Sequence, residues 1–231
     1  MKISIIVPVY NSAPLIKKNI EPIINECKLI TDDFQVILCD DASSDQSRKV
    51  LLDIAAEHQN VRVLFNNGNM GLGFTLREMI VHCEGETVVY LDCDLPFGAS
   101  IISQLIKKMG NYDIVVASRY LLRKNKISLM RKIASRGYYI FCRLLLRTAV
   151  LDIGSGAVAF RRKIFYQFKL ECNGFGIHAE IFTKAAALRL KIKEIPGKII
   201  SFEKGSFSIL RHGCSIMIET IQLWYLLKKN N

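Results

Sequence analysis

The chain predicts an α/β fold: a mainly parallel central sheet flanked by helices in a single domain spanning residues 1–231. Two observations carry that reading. Short β-branched apolar runs alternate with stretches of helical periodicity through the first half of the chain, the pattern of βαβ units. No stretch rich in Pro, Gly or Ser divides the 231 residues, a length one α/β domain accommodates.

The elements follow in order. Ile3–Val7 reads as a strand. Ala13–Cys27 reads as a helix with Ser12 at its N-cap and Pro14 in its first turn, where a missing N–H costs nothing. Gln35–Cys39 is a second strand, Ser44–His58 a helix capped by Ser43 or Ser44, and Val61–Phe65 a third strand. Gly73–Val81 is helical, Thr87–Leu91 a strand, Ser100–Met109 a helix and Asp113–Ala117 a strand. Beyond these, Leu129–Leu146 has helical spacing, Gly156–Phe160 reads as a strand and Arg162–Phe168 as a short helix. Ala179–Leu190 reads as a helix, and Lys193–Ile200 as a strand broken at Pro196-Gly197.

Composition narrows the function classes. Half the residues are hydrophobic and the mean hydropathy is +0.21, which excludes a disordered chain. The net charge is +11, a balance that favours phosphates on nucleotides, nucleic acid or anionic lipid. The charge is uneven. No acidic residue occurs from Ile114 to Leu151, while Arg119, Arg123, Lys124, Lys126, Arg131, Lys132, Arg136, Arg143 and Arg147 all fall there. No zinc spacing, helix-turn-helix signal or aromatic RNA-binding motif accompanies it, so nucleic acid is not an expected partner. Seven cysteines, an odd number without a CxxC pair, point to reduced thiols in a cytoplasmic setting. No apolar run is long enough for a transmembrane helix. The apolar Cys214–Leu227 segment, ending in Lys228-Lys229, is suited to lie on the domain or in a membrane interface.

Four loops carry candidate chemistry. Asp92-Cys93-Asp94 follows the apolar strand Thr87–Leu91. Ligands of open α/β sheets bind beyond the carboxyl ends of strands, and paired carboxylates there suit Mg²⁺ or Mn²⁺. The same string also occurs in solvated turns. Asp40-Asp41-Ala42-Ser43-Ser44-Asp45 follows the second strand; Asp45 suits a helix first turn, and Asp40 and Asp41 can accept from a base or ribose. Pro8, Tyr10 and Asn11 form a turn after the first strand, with Tyr10 able to stack on a base or simply pack. Asn69-Met70-Gly71-Leu72-Gly73 precedes a helix, and its glycines permit close backbone approach. All four can converge on one edge of one sheet.

These motifs, in this order, resemble family 2 glycosyltransferases of the GT-A fold, a Rossmann-like arrangement. Val7–Asn11, Asp40–Asp45, Asn69–Gly73 and Asp92–Asp94 look like that family's nucleotide-sugar half, residues 1–120. Arg119-Tyr120, Arg131, Ser135-Arg136-Gly137-Tyr138, Asp152, Ser155-Gly156, Gly174-Phe175 and Glu180 look like the dolichol- or polyprenyl-phosphate sugar transferases, in an acceptor half covering 121–231.

The resemblance implies roles. Asp40 and Asp41 would sit by base and ribose, together with Pro8, Tyr10, Asn11, Gly71 and Cys93. Asp92 and Asp94 would hold the metal and the diphosphate of a UDP- or GDP-sugar. Arg119, Arg131 and Ser135 would hold an acceptor phosphate, in an inverting displacement that needs no strong base. A sugar-hydroxyl acceptor would need one, with Glu180 or Asp152 as candidates. A non-catalytic nucleotide-sugar or membrane-binding module is the other alternative. The cationic helix Leu129–Leu146 would rest on anionic lipid or pack on the sheet, and the expected location is the cytoplasmic face of a membrane. Four departures stand out: Pro96 where a polar residue is usual, Tyr139 where Asn is, His178 near Glu180, and a 202–208 loop without the usual Arg and Ser-Lys pair.

Overall fold

The computed structural model describes residues 2–122, 124–125, 129–148, 150–200 and 209–229. Seven strands form one sheet in the order β3-β2-β1-β4-β6-β5-β7. The strands are β1 (Ile3–Val9), β2 (Phe34–Asp40), β3 (Val61–Phe65), β4 (Thr87–Leu91), β5 (Ile114–Ser118), β6 (Ala157–Arg161) and β7 (Ile192–Pro196). All ladders are parallel except those of β6, which runs antiparallel between β4 and β5.

Helices cover both faces: α1 (Ala13–Lys28), α2 (Ser47–Glu57), α3 (Leu72–Val81), α4 (Ile101–Met109), α5 (Leu129–Leu146), α6 (Ile177–Ala187) and α7 (Ile209–Lys229). The period of two along β1 sorts its side chains. Ile3, Ile5, Val7 and Val9 enter a core with α1, α2 and α4, whereas Ile6 enters the opposite core with α3, α5, α6 and α7. Apolar burial on both faces is what a parallel sheet requires.

Three expectations shift. The second helix starts at Ser47, not Ser44, because Ser43 and Ser44 bond to Asn11. The segment 162–168 is a 3-10 turn over Arg162–Tyr166. The last strand ends at Pro196, and Gly197 donates to Ser118 O at 2.9 Å as the chain leaves the sheet.

The topology places the site. From β1 the chain moves outward through β2 to β3, then returns to β4 on the other side of β1. Such a reversal opens a crevice beyond the carboxyl ends of the two diverging strands. The loops after β1, β2 and β4 all lie at that end.

Candidate functional site

Each of these three loops turns through a non-glycine residue with positive φ: Asn11 at 47°, Ala42 at 57° and Leu95 at 41°. That region is disfavoured for residues carrying a Cβ and persists where surrounding contacts impose it. The contacts are visible. Asn11 N–H donates to Ser43 Oγ at 2.8 Å, and Asn11 Oδ1 accepts from Ser44 N–H at 2.8 Å. Asp45 joins the same two loops, accepting from Ala13 N–H at 3.1 Å and Ser47 N–H at 2.9 Å. Burial disfavours its charge, but the bonds from Ser47 and Ala13 outweigh it and hold the carboxyl below its ordinary range. Asp45 therefore does at α1 what Ser12 was expected to do; the Ser12 hydroxyl donates instead to Tyr10 O.

The two carboxylates at the end of β2 have different tasks. Asp41 Oδ1 accepts from Asn66 Nδ2 at 2.7 Å and Met70 N–H at 2.8 Å, while Oδ2 accepts from Gly71 N–H at 2.9 Å. It braces the glycine loop from inside, beside the expected place by base or ribose. Asp40, 2% exposed, accepts from Ser43 N–H at 3.2 Å through Oδ1, so fewer of its acceptor positions are taken up by the protein than those of Asp41. The glycine loop is also spoken for. A Cβ on Gly71 would lie 2.6 Å from Asn173 O, and one on Gly73 would lie 2.2 Å from Cys172 O. The close backbone approach predicted there is to the protein's own 172–173 segment. Pro8 lies within β1 opposite Cys39, and Tyr10 stands exposed at the crevice.

Asp92 leaves β4 with its carboxylate held on two sides. Its N–H donates to Gly156 O at 2.8 Å. Gly156 passes so close that a Cβ there would stand 2.4 Å from Asp92 Oδ2. The Tyr90 hydroxyl donates to Oδ1. Tyr90 precedes Asp92 by two residues, one strand repeat, and so lies on the same side; the sequence shows it only as part of the apolar strand Thr87–Leu91.

Cys93 was expected at the cofactor. Its side chain packs instead against the α1–α2–α4 core, and Asn19 Nδ2 holds its carbonyl at 2.8 Å. Burial first, then the charges of Asp94 and Asp92, push its thiol far above the usual range, so it supplies no thiolate. Among the described residues no cluster of three or more His, Cys, Asp or Glu side chains could hold a metal by itself. Asp92 and Asp94 offer hard oxygen donors only, which fits Mg²⁺ or Mn²⁺ completed by phosphate oxygens and water.

The predicted acceptor residues separate. Arg119 makes a bidentate pair with Asp152: Nε donates to Oδ2 at 2.9 Å and an Nη to Oδ1 at 2.6 Å, and its backbone N–H reaches Oδ2 at 2.8 Å. The same Nη donates to Gly154 O at 2.5 Å. The guanidinium is thus tied down mainly by its own protein, and Asp152 is not available as a base. Glu180 is fully buried and accepts from Glu171 N–H, Cys172 N–H and Lys184 Nζ. In this structure it ties the 171–172 segment to α6. Ser135 Oγ accepts from the Tyr120 hydroxyl, joining the end of β5 to α5. Arg131 lies on α5, but its side chain, and the 202–208 loop, fall outside the described residues.

The arrangement sets a carboxylate pair at a crevice beyond the carboxyl ends of the strands. The family model "Glycosyl transferase family 2" matches residues 4–168, and the chain belongs to that family. Glycosyltransferase AglD of Haloferax volcanii is 27% identical over 203 residues, covering 85% of this chain and 32% of that protein. The undecaprenyl-phosphate 4-deoxy-4-formamido-L-arabinose transferase of Pseudomonas fluorescens is 30% identical over 164 residues, covering 70% of this chain and 47% of that one. Its Proteus mirabilis counterpart is 27% identical over 212 residues, covering 91% and 64%. The chain thus spans between about a third and two thirds of these relatives.

Among solved structures, the mannosyltransferase PcManGT from Pyrobaculum calidifontis, in complex with GDP-Man and Mn²⁺, superposes with a TM-score of 0.68 at 19% identity, covering 99% of this chain and 64% of that one. Glucosyl-3-phosphoglycerate synthase from Mycobacterium tuberculosis, in complex with Mn²⁺, UDP and phosphoglyceric acid, gives 0.74 at 17% identity, covering 96% and 76%. The fold is that of GT-A glycosyltransferases.

Proposed function

We propose that this chain is an inverting glycosyltransferase moving a sugar from a UDP- or GDP-sugar to a polyprenyl phosphate, with Mg²⁺ or Mn²⁺. The observation that carries the proposal is the Asp92–Asp94 pair at the β1/β4 crevice, with the Asp92 carboxylate fixed between Tyr90 and Gly156. A divalent ion bound there would neutralise charge on the departing diphosphate. The protein's own part is positioning: Asp40 and Tyr10 flank the nucleoside, and the stitched loops after β1 and β2 keep the crevice in shape. In this reading residues 1–120 form the donor half and 121–231 the acceptor half.

Two features favour a phosphate over a hydroxyl acceptor. A phosphate oxygen is already anionic and needs no base, whereas both candidate bases, Asp152 and Glu180, have their oxygens committed to internal donors. The named relatives include undecaprenyl-phosphate transferases. The Arg119–Asp152 pair then shapes the acceptor side, and Arg131 and Ser135 are its proposed phosphate contacts.

No helix among the described residues is long and apolar enough to cross a membrane. α5 and α7 pack together through Tyr138 and Thr220, 3.1 Å apart. They leave Leu129, Ile133, Leu144, Ile218 and Tyr225 exposed beside exposed Lys132, Arg136, Arg143, Lys228 and Lys229. Apolar side chains among cations suit the interface of an anionic bilayer, and we place the chain peripherally on the cytoplasmic face. The test is transfer from UDP- and GDP-sugars, with Mn²⁺, to undecaprenyl phosphate in anionic vesicles. Product that disappears with EDTA and with Asp94→Ala supports the proposal. Transfer to a glycan hydroxyl with lipid phosphate inert refutes the acceptor, and absence of any transfer despite donor binding supports a non-catalytic module.

A further inference from the structure

Tyr90 is fully buried at the end of β4, yet its one polar atom reaches the crevice by donating to Asp92 Oδ1. Its ring is enclosed in the core that α3, α5, α6 and α7 cover, and its hydroxyl hydrogen is committed to that carboxylate. Behind it stands His178, on the first turn of α6. The two rings are 4.8 Å apart between centroids, inclined at 59°, and His178 stacks in turn on Phe182 at 6.5 Å. His178 is 6% exposed and its Nε2 has no hydrogen-bond partner. Burial lowers its pKa to about 4, against an opposing pull from Asp152, so the ring is neutral. The pair thus sets one oriented donor on Asp92 without adding a cation that would compete for its charge.

We infer that Tyr90 is a positioning residue for the metal–diphosphate site, its hydroxyl fixing which face of Asp92 is offered to the ion, with the neutral His178 ring as the wall that holds the phenol in place. This rests on the reading that Asp92 and Asp94 meet the metal. The physical basis is general: donors to a ligating carboxylate set its orientation, and their removal weakens metal binding without removing a ligand. Gly156 closes the other side of the carboxylate, so loss of the hydroxyl removes the donor that opposes that contact.

The experiment is calorimetric titration of Mn²⁺ into the full chain with UDP or GDP present, for wild type, Tyr90→Phe, His178→Ala and Asp92→Asn, beside thermal unfolding of each. Tyr90→Phe keeps the ring and its packing; His178→Ala keeps the hydroxyl and removes the wall. Both are expected to weaken Mn²⁺ about tenfold or more. In a turnover assay, excess Mn²⁺ should restore the rate of Tyr90→Phe and not that of Asp92→Asn. Wild-type Mn²⁺ affinity in a folded Tyr90→Phe overturns the inference. Wild-type affinity in His178→Ala overturns the part given to the wall. Failure of the wild-type chain to bind Mn²⁺ with either nucleotide overturns the reading of Asp92 and Asp94 instead, and the positioning role with it.

Discussion

The backbone of Gly156, at the start of β6, lies against the carboxylate of Asp92, at the end of β4: a Cβ at 156 would stand 2.4 Å from Oδ2 and 2.9 Å from Cγ. The neighbour that would have to move is the candidate ligand itself. Gly156→Ala is therefore expected to keep the fold, because the clash falls on a side chain. It should weaken Mn²⁺-dependent donor binding by about an order of magnitude, the scale of disturbed carboxylate orientation at metal sites. Calorimetry and circular dichroism on the same sample check both halves.

Asp41 and Asp40 are adjacent and should behave differently. Asp41→Ala removes the acceptor of Asn66 Nδ2 and of the Met70 and Gly71 N–H groups. These donors are only part-buried, so each lost bond should cost less than the about 1–3 kcal/mol of a fully buried one, and the variant should lose stability in urea. Asp40→Ala removes one bond, from Ser43 N–H, and should lose donor affinity with a smaller stability change.

The Arg119–Asp152 pair is buried, with side-chain exposures of 11% and 1%. Asp152→Ala leaves a guanidinium without its partner, and breaking a buried pair in this way costs about 3–5 kcal/mol. The prediction is a large drop in the urea midpoint. Near wild-type stability with selective loss of acceptor affinity would return Arg119 to the role its sequence context suggested.

His178 gives a pH dependence. Burial, opposed by Asp152, lowers its folded pKa from 6.5 to about 4, so below pH 6.5 the unfolded chain takes up a proton that the folded chain refuses. Stability from this group is complete above pH 6.5 and is lost as pH falls toward 4. At about 1.4 kcal/mol per pKa unit the loss is on the order of 3 kcal/mol. Urea unfolding at pH 7, 5.5 and 4 should show that slope, and His178→Gln should flatten it.

The fold was largely legible because its signals are local. Apolar runs such as Thr87–Leu91 and the helix stretches between them set the element order. The direction of β6 was not legible, since a five-residue apolar run reads alike from either end and only its ladders with β4 and β5 show it antiparallel. The carboxylates divide on the same principle. Asp92 and Asp94 stand at a strand end that sequence marks. What sequence does not mark is that Asp41 and Glu180 accept from backbone N–H groups 8 to 30 residues away. The Asp45 bond to Ala13, 32 residues distant, displaced the expected serine cap for the same reason. Tyr90 was within reach: a tyrosine one strand repeat before a site carboxylate has a hydroxyl that must find a partner when buried.

The central claim is that Asp92 and Asp94 bind a nucleotide-sugar through a divalent metal. The direct measurement is calorimetric titration of UDP-, GDP- and dTDP-sugars into the chain with Mn²⁺ or Mg²⁺, repeated with EDTA and with Asp94→Ala. The account predicts binding of a UDP- or GDP-sugar that requires the metal and is lost in both controls. Binding that survives EDTA and Asp94→Ala, or no binding of any nucleotide-sugar to the folded protein, would contradict it.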